Sequence, residues 1–372
     1  MAKSIKTLTL SEKFILLAQT GLPVLIQGMP GEAKTAYIQA LAVATKRHLE
    51  TVIASIRDAS EIGGLPVDRP EGIILHPPAW ANRLVAAAEQ GGILFFDEIT
   101  CTMPSGQAAL LRVIHEKVVG ELTLPKTTWM IAAANPPEVA ANGWELSPPM
   151  ANRFIHLNWE VNTNDWMEGM INGFQPPAVK TIPQNWRDSI PGARALIASF
   201  IRVRPALLRG FPKDSADRAG AWPSPRTWDM AATVYAAFEA AGEDPLQGIA
   251  ACVGDSAAKE FASYVTNLDL PDPEELLKDP NNINWPDKRD DKAFAMITSV
   301  VSAVIARNQP KRWEASWKVL SSANRAGKAD LVVIVCKTLL KNKPAGAQQP
   351  VTELAELAEI LKRAGAFDLK QG

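Results

Sequence analysis

The chain has 372 residues, of which 39 are basic and 40 acidic, so its formal net charge is -1. At about 150 residues per domain this length predicts two or three domains, and the hydrophobic share of 47% is that of a globular protein with a buried core. The balanced charge argues against a nucleic-acid-binding or membrane-surface protein, while leaving room for a local basic patch.

The cysteines and the N-terminal sequence indicate the compartment. Cys101, Cys252 and Cys336 lie far apart and form no disulfide framework, which favours a reducing environment. The first residues lack the apolar core of a signal peptide, and no apolar run approaches the ~18 residues of a membrane span. We therefore expect a soluble cytoplasmic protein with no membrane partner.

The N-terminal part of the chain has a βαβ pattern. A short helix is predicted over residues 11–20, with Ser11 as its cap. An apolar strand follows from Val24, and after a Gly/Pro turn come a helix over 34–46 and a β-branched strand over 50–56. This order of elements is typical of a parallel sheet flanked by helices.

The turn after the first strand has the features of a phosphate-binding loop. A strand that delivers a glycine turn to a helix N-terminus presents free backbone N–H groups and the positive dipole end to a polyanion. Lys34 adds a mobile positive charge, and the Thr35 hydroxyl can ligate Mg²⁺. An ordinary strand-turn-helix connection is the alternative for this stretch taken by itself. The predicted nucleotide-binding residues are Gly28, Met29, Pro30, Gly31, Glu32, Ala33, Lys34, Thr35 and Ala36.

Ala33 departs from the loop motif G-x-x-x-x-G-K-[ST], which has glycine at this position. An alanine is tolerated there if the residue already has helical φ and ψ, whereas a positive φ would disfavour its Cβ. The residue pattern leaves both conformations open.

Two carboxylates follow the third predicted strand. Residues 57–78 are predicted to be surface loops, and a helix is predicted over 79–90. Residues 93–96 are all apolar and precede Asp97 and Glu98, as at the tip of a central parallel strand. Asp97 would hold Mg²⁺ directly or through water, and Glu98 would orient and deprotonate an attacking water. The alternative is an exposed pair of acids at the end of an ordinary strand.

Two further polar residues adjoin strands. After a helix over 104–116 and a hairpin over 118–124, an apolar strand over 128–134 ends on Asn135. The Asn135 amide can hydrogen-bond both a water and a γ-phosphate, or the residue can simply form the turn ahead of two prolines. Arg153 precedes a last short strand and is either a surface cation or a finger that points at a phosphate.

The remainder of the chain is predicted to be helical. An aperiodic connection over 160–191 indicates a domain boundary. Arg226 stands at the beginning of a helix, where its charge opposes the dipole, so an anionic ligand is the simplest reason for it. The predicted helices cover residues 194–202, 227–241, 249–267, 292–308, 312–322, 330–341 and 351–364.

Five segments together resemble the ordered motifs of an AAA+ ATPase, most closely those of the MoxR branch, which is related to the dynein-like AAA group. Members of this branch commonly carry alanine before the lysine of the loop, as Ala33 does here, and a second-sensor arginine within Ser-Pro-Arg. The resemblance covers roughly residues 10–240, and no motif is carried over beyond about residue 270. The five segments are 28–35, 94–98, 134–136, 152–154 and 224–226.

The resemblance implies a fold and a division into domains. The fold would be an α/β P-loop NTPase core, a parallel sheet between layers of helices in a three-layer αβα arrangement, followed by an all-α lid and a C-terminal helical region. The implied domains are 1–191 for the core with its connecting segment, 192–275 for the lid and 276–372 for the C-terminal helices.

The resemblance also implies ATP and Mg²⁺ as cofactors and a role for each motif residue. Arg187 and Arg194 remain alternatives to Arg153 as the finger in trans. The implied roles are phosphate and Mg²⁺ binding for Lys34 and Thr35, Mg²⁺ coordination for Asp97, catalytic base for Glu98, first sensor for Asn135, second sensor in cis for Arg226, and for Arg153 a finger that reaches the neighbouring subunit's nucleotide.

Family members form rings, usually hexamers, and remodel protein substrates or partner complexes, often with a von Willebrand factor A domain protein. We therefore expect a ring homo-oligomer whose ATP hydrolysis depends on assembly and acts on a protein substrate. By the same resemblance residues 61–66 would face the central pore, and the hairpin over 118–124 would be an insert in the second helix. A solvated surface loop is the alternative for each.

Two other functions remain open at this stage. A nucleotide-gated binding scaffold would use ATP to set a conformation, with little turnover. A DNA-acting AAA+ motor would share the nucleotide chemistry, although the net charge near zero argues against nucleic acid as the partner.

Overall fold

The computed structural model describes residues 7–70, 72–136, 139, 144–358 and 362. Contacts between residues group the chain into two compact units. The first comprises Met1–Pro183 and Arg209–Ala258, and the second comprises Gln184–Leu208 and Lys259–Gly372. Every strand among the described residues lies in the first unit, and the second unit is helical.

Five strands form a parallel sheet in the first unit. The strands of the described chain are β1 (Val24–Gln27), β2 (His48–Ile53), β3 (Leu65–Arg69), β4 (Gly72–His76), β5 (Gly92–Asp97), β6 (Val118–Val119), β7 (Leu122–Thr123), β8 (Trp129–Ala134) and β9 (Ile155–Asn158). The sheet has the order β2-β5-β8-β1-β9, and its four neighbouring pairs are all parallel. β6 and β7 pair antiparallel, which confirms the hairpin predicted over 118–124.

Helices flank the sheet and form the C-terminal region, which confirms the predicted fold class. The helices of the described residues are α1 (Leu10–Gln19), α2 (Lys34–Thr45), α3 (Ala59–Gly63), α4 (Ala79–Ala86), α5 (Pro104–Glu116), α6 (Pro148–Ala151), α7 (Thr163–Asn172), α8 (Ile190–Val203), α9 (Pro225–Ala240), α10 (Ala250–Val253), α11 (Asp255–Leu268), α12 (Pro273–Lys278), α13 (Asp290–Ala306), α14 (Pro310–Arg325), α15 (Ala329–Lys341) and α16 (Val351–Glu356).

The central strands are buried on both faces. All six residues of β8 and five of the six residues of β5 are buried, including Phe95 and Phe96. Burying one such phenylalanine contributes about 1.5–3 kcal/mol to stability. Because both faces are covered, the strand sequences are uninterrupted apolar runs rather than alternating ones, and the sequence predicted them well.

The register of the sheet brings three functional segments to one edge. Gln27 of β1 lies opposite Ala134 of β8, and Phe96 of β5 lies opposite Ala132 of β8. Residues that follow β1, β8 and β5 therefore leave the sheet side by side. The backbone N–H of Gly28 donates to Ala134 O at 3.2 Å, which joins the segment that follows β1 to the end of β8.

The cap of α1 differs from the prediction. The helix begins at Leu10, and Thr9 rather than Ser11 caps it. The Thr9 hydroxyl accepts from Glu12 N, and the Glu12 carboxylate accepts from Thr9 N at 2.8 Å, which makes a capping box. Ser11 instead hydrogen-bonds Tyr37 Oη at 2.5 Å. Threonine followed three residues later by glutamate was the sequence signal for this cap.

The segment predicted as a surface loop over 57–78 contains regular structure. α3 begins after Asp58, which forms a second capping box with Glu61, and the antiparallel pair of β3 and β4 follows. Residues 61–66 therefore lie in the end of α3 and the start of β3. The residues of β3 and β4 are exposed or half-buried, so they lack the apolar alternation by which a strand is recognised.

The aperiodic connection over 160–191 also contains a helix. The Asn162 side chain caps α7 by accepting from Asn164 N at 2.9 Å and Asp165 N at 3.3 Å. A 3₁₀ turn at Trp186–Ser189 then leads into α8, which begins earlier than predicted. α7 buries only Gly169, although its apolar residues 166, 167, 170 and 171 recur at helical spacing. This spacing was an available signal that the prediction of an aperiodic connection missed.

The two compact units group residues differently from the three successive domains predicted. α8 belongs to the second unit because it packs against α11 and α13, with Phe200 edge-on to Phe261 at 5.3 Å and Tyr264 Oη donating to Ser199 Oγ at 3.0 Å. Residues 209–258, which include α9, return to the first unit.

Several other helix ends differ from the prediction. The helix predicted over 79–90 ends at Ala86, and the one predicted over 249–267 is divided into α10 and α11 at Gly254, whose φ is 80°. A side chain at Gly254 would meet Ala221 O at 2.8 Å, so glycine is needed there on both counts. The helix predicted over 351–364 is α16 as far as Glu356, and residues 359–361, 363 and 364 of the prediction lie outside the described residues.

The second unit has its own apolar core. Trp313 and Trp317 of α14 are buried edge to face at 5.6 Å, and the Trp313 indole donates to Leu339 O at 2.9 Å. Lys328 is buried beside α13, where it donates to Asp290 Oδ1 at 2.8 Å. Of the helices described, none combines the length and the apolarity that crossing a membrane requires.

We predict that His156 makes stability fall in mild acid. Its ring is buried in β9, its Nε2 bonds Ala151 O at 2.8 Å, and burial lowers its pKa to about 4. Between pH 6.5 and 4 the unfolded chain therefore binds a proton that the folded chain does not, and stability decreases as pH falls. Between pH 7 and 5 this residue alone should cost about 2 kcal/mol.

His156→Gln tests this expectation, since glutamine can still donate to Ala151 O but does not titrate. Urea unfolding at pH 7 and pH 5 should show a smaller loss of unfolding free energy in the variant than in the wild type, by about 2 kcal/mol. Equal losses in the two proteins would mean that His156 is not the group responsible.

Candidate functional site

The residues that follow β1, β8 and β5 meet at the carboxyl edge of the sheet. Parallel α/β sheets bind ligands at this edge, where the strand order reverses. Here β1 and β8 are adjacent in the sheet and far apart in the chain, which makes such a crevice. The loop after β1, Asn135 after β8 and the pair Asp97 and Glu98 at the end of β5 all lie here.

The loop between β1 and α2 ends in a left-handed residue. Gly31 has a φ of 88°, and Ala33, the residue before α2, has φ 54° and ψ 23°. Ala33 therefore has the positive φ that disfavours a Cβ, not the helical conformation. No side chain caps α2, so the first N–H groups of the helix face the loop without a capping partner. Such a helix start binds anions.

Lys34 ties the loop to the neighbouring strand. Its Nζ donates to Gly28 O at 2.6 Å, to Met29 O at 2.9 Å and to Asn135 Oδ1 at 3.0 Å. Burial lowers the pKa of Lys34, and the nearby carboxylates of Asp97 and Glu32 act in the opposite direction. All three N–H donors of the ammonium are thus hydrogen-bonded within the site.

Thr35 and Asp97 form a pair of oxygen ligands. The Thr35 hydroxyl donates to Asp97 Oδ2 at 2.7 Å. Thr35 lies in the first turn of α2 and Asp97 ends β5. A hydroxyl and a carboxylate suit Mg²⁺, which binds through one or two protein oxygens together with phosphate and water oxygens. In the described residues no three His, Cys, Asp or Glu side chains come together as metal ligands, so phosphate and water oxygens would have to complete the shell.

Glu98 points away from Asp97. Its φ is 54° and ψ 42°, which is unusual for a residue other than glycine. Its backbone N–H donates to Asp97 Oδ1 at 3.0 Å, while its Oε2 accepts from Ser55 Oγ at 2.7 Å. Sequence reasoning missed Ser55. The signal was available in principle, since Ser55 lies two residues beyond β2, the strand that pairs with β5.

Arg153 and Arg226 lie close to each other. Arg226 is exposed in the first turn of α9, and the cap of that helix, Ser224, donates to Asn152 Oδ1 at 2.8 Å, beside Arg153. Burial lowers the pKa of Arg153, and the charge of Arg226 lowers it further. Arg153 Nη1 donates to Pro149 O at 2.5 Å, whereas its Nε is buried without a hydrogen-bond partner.

Within the part of the chain that the structure describes, no hydrogen bond joins Arg153 or Arg226 to the loop or to Asp97. The other arginines considered for the finger, Arg187 and Arg194, lie in the second unit. Sequence reasoning missed the bond between Asn152 and Ser224, because it joins residues 72 positions apart.

A family model matches the N-terminal part of the chain. Residues 23–154 match the family model of the AAA domain, dynein-related subfamily. This part of the chain is therefore similar to AAA domains of the dynein-related subfamily, which supports nucleotide binding, and it contains Lys34, Asp97, Asn135 and Arg153. Among curated protein sequences, none matches the chain.

Two solved structures are similar to this chain. One is described as a "putative ATPase" from Cytophaga hutchinsonii; it is 15% identical with a TM-score of 0.41, and the match covers 73% of this chain and 88% of that one. The other is a full-length MCM homolog from Methanopyrus kandleri; it is 13% identical with a TM-score of 0.36, and the match covers 68% of this chain and 54% of that one.

We predict that glycine at position 33 stabilises the protein. An L-residue in the left-handed region costs about 1–2 kcal/mol, and the greater freedom of glycine in the unfolded chain offsets about 0.4–1 kcal/mol of the relief. Ala33→Gly should therefore raise the unfolding free energy by up to about 1 kcal/mol.

Ala36→Gly is the matched control, since Ala36 is exposed three residues further on in α2. Glycine in a helix is less stable than alanine, so this change should lower the unfolding free energy by about 0.5–1 kcal/mol. Urea unfolding of the two variants without nucleotide should thus give shifts of opposite sign. Destabilisation by both would mean that Ala33 is not strained.

Proposed function

We propose that this protein is an AAA+ ATPase of the MoxR branch that hydrolyses ATP in a ring oligomer, a hexamer by family resemblance, to remodel a protein substrate or partner complex. The observation that carries the proposal is the convergence of Lys34, Thr35, Asp97, Glu98 and Asn135 at the carboxyl edge of the sheet. These residue types supply a phosphate-binding ammonium, two oxygen ligands, a base and an amide, which is what phosphoryl transfer to water requires.

The phosphate loop would bind the nucleotide with its backbone. Residues 28–36 present the N–H groups at the start of α2, and Lys34 would exchange its hydrogen bonds to Gly28 O and Met29 O for phosphate oxygens. Thr35 and Asp97 would hold Mg²⁺, which when bound neutralises phosphate charge.

Glu98 and Asn135 would act on the attacking water. The Glu98 carboxylate, held by Ser55, would orient the water and take its proton. The Asn135 amide contacts Lys34 Nζ, so a movement of Lys34 toward phosphate would free Asn135 to sense the γ-phosphate. Arg226 would be the second sensor, in cis.

Arg153 would complete the site of a neighbouring subunit. The family resemblance supports this role, since Arg153 stands in the segment 152–154 that resembles the finger motif. An arginine finger is worth about 10³–10⁵ in rate, so a monomer should be nearly inactive. We further propose cytoplasmic function, which the free thiols of Cys101, Cys252 and Cys336 support, and a von Willebrand factor A domain protein as a partner.

We predict that Glu98→Gln binds ATP but does not hydrolyse it. Glutamine keeps the shape of the side chain and its bond to Ser55 but cannot accept the proton, so turnover should fall by about 10²–10⁴. Phosphate release and binding of a fluorescent ATP analogue, measured on the same preparation, separate the two effects. Unchanged turnover would sink the assignment, and a well-formed wild-type ring without turnover would favour the nucleotide-gated scaffold.

A mixing experiment tests whether Arg153 acts in trans. Arg153→Ala subunits retain Glu98, and Glu98→Gln subunits retain Arg153, so each variant alone should be nearly inactive. In an equimolar mixed ring about a quarter of the interfaces combine an intact Glu98 with a neighbour's intact Arg153, and activity should recover to about that share. A mixture that stays inactive would place Arg153 in cis.

Light scattering should confirm that the mixed and wild-type rings have the same mass. Wild-type ATPase activity per subunit should also rise with protein concentration as the ring assembles. Activity independent of concentration in a monomeric sample would contradict a finger in trans.

A further inference from the structure

Trp159, the residue after β9, contacts the phosphate loop at two points. Its backbone N–H donates to Gln27 O at 2.6 Å, at the end of β1. Its indole Nε1 donates to Glu32 O at 3.0 Å, within the loop. The ring is buried against Tyr37 of α2, with centroids 4.6 Å apart, so both contacts are held in place by aromatic packing.

The close approach of Trp159 explains why the loop begins with glycine. A Cβ at Gly28 would lie 2.3 Å from Trp159 O and 3.1 Å from Trp159 Cβ. No side chain fits in that space. The start of the loop and the residue after β9 are thus packed backbone against backbone.

Glu32 makes a second connection between the same two segments. Its Oε2 accepts from the backbone N–H of Val161 at 2.7 Å. N–H groups two residues apart point to the same side of an extended chain, so Trp159 and Val161 both donate toward the loop side. α7 begins two residues after Val161, with Asn162 as its cap. The Glu32 carboxylate is therefore engaged with the segment that leads into α7.

We propose that Trp159 and Glu32 form a latch that positions the phosphate loop and transmits nucleotide binding to α7. The latch comprises the bond from Trp159 Nε1 to Glu32 O and the bond from Val161 N to Glu32 Oε2. The proposal rests on the nucleotide binding proposed above. In the latch the two residues act through the backbone and the position of the loop, so in this role both are positioning residues.

The latch would act through the hydrogen bonds that the backbone carbonyls of the loop accept. Lys34 donates to Gly28 O and Met29 O, and Trp159 donates to Glu32 O, so three carbonyls of the loop accept from these two side chains. A phosphate that attracts Lys34 changes the first two of these bonds. Glu32 lies in the same short loop, so a shift of the loop would move its backbone carbonyl and its carboxylate together. The bonds from Trp159 and Val161 would pass that movement to the segment that starts α7.

The first test removes the Glu32 carboxylate. In the full-length protein, ADP should slow amide hydrogen exchange in residues 160–172, and Glu32→Ala should abolish that slowing and weaken ADP binding by about tenfold, the effect of one buried hydrogen bond. Glu32→Gln should lose less ADP affinity than Glu32→Ala and should retain the slowing, since its amide oxygen can accept from Val161 N. Glu160→Ala is the matched control, because Glu160 is an exposed carboxylate in the same segment.

The second test removes only the indole N–H. Trp159→Phe keeps the aromatic packing on Tyr37 but leaves Glu32 O without its donor. The KM for ATP should rise by about tenfold with little change in kcat, because the latch shapes the binding loop and not the reacting atoms. Trp166→Phe, at a half-exposed tryptophan of α7, is the control and should leave both constants unchanged.

The outcomes separate the latch from the proposed function. A wild-type protein that binds neither ADP nor ATP would overturn the nucleotide site itself. Normal wild-type binding together with wild-type affinity, KM and exchange in Glu32→Ala and Trp159→Phe would overturn the latch alone. Equal loss of binding in Glu32→Ala and Glu32→Gln would also overturn it, since the bond from Val161 would then not be the cause.

Discussion

The buried ammonium of Lys34 is the interaction on which the candidate site depends. Its three donors reach the first two carbonyls of the loop and the side chain of Asn135, so one charged group links the end of β1 to the end of β8. A buried charge is stable only when its donors are satisfied and opposite charge is near, and Asp97 and Glu32 provide that charge. The parallel sheet makes this possible, because its register sets the two strand ends side by side.

Backbone strain occurs at two positions of this site. Ala33 and Glu98 both have a φ of 54° without being glycine, and each such residue costs on the order of 1–3 kcal/mol. At Glu98 the conformation separates two adjacent carboxylates: that of Asp97 bonds Thr35, whereas that of Glu98 bonds Ser55. Regular strand geometry would direct successive side chains to opposite faces of the sheet, so the left-handed turn is what keeps both acids at its edge.

Features formed by contiguous residues could be predicted from the sequence, whereas contacts between distant segments could not. β5 and β8 were predicted correctly because burial on both faces leaves an uninterrupted apolar run, and the loop was recognised because its residues are contiguous. The β3–β4 hairpin was missed because its exposed strands carry no apolar period. α7 was missed although its apolar residues recur at helical spacing, because prolines, asparagines and glycines around it indicated a connection. The partners of the site residues, such as Ser55 for Glu98 and Ser224 for Asn152, come from distant segments that only the fold brings together.

Arg153 and Arg226 are two like charges near each other, whereas the charged groups near Lys34 are carboxylates. The bond from Ser224 to Asn152 holds the start of α9 beside Arg153, so the fold keeps two guanidinium groups near each other although they repel. Arg153 also leaves its Nε buried and unbonded, a further cost. An anion between or beside the two groups would reverse both costs at once. In the proposed ring the nucleotide of a neighbouring subunit would be the anion for Arg153, and the subunit's own nucleotide would be the anion for Arg226. Relief of the cost at Arg153 would then depend on assembly and would contribute to the free energy that joins one subunit to the next.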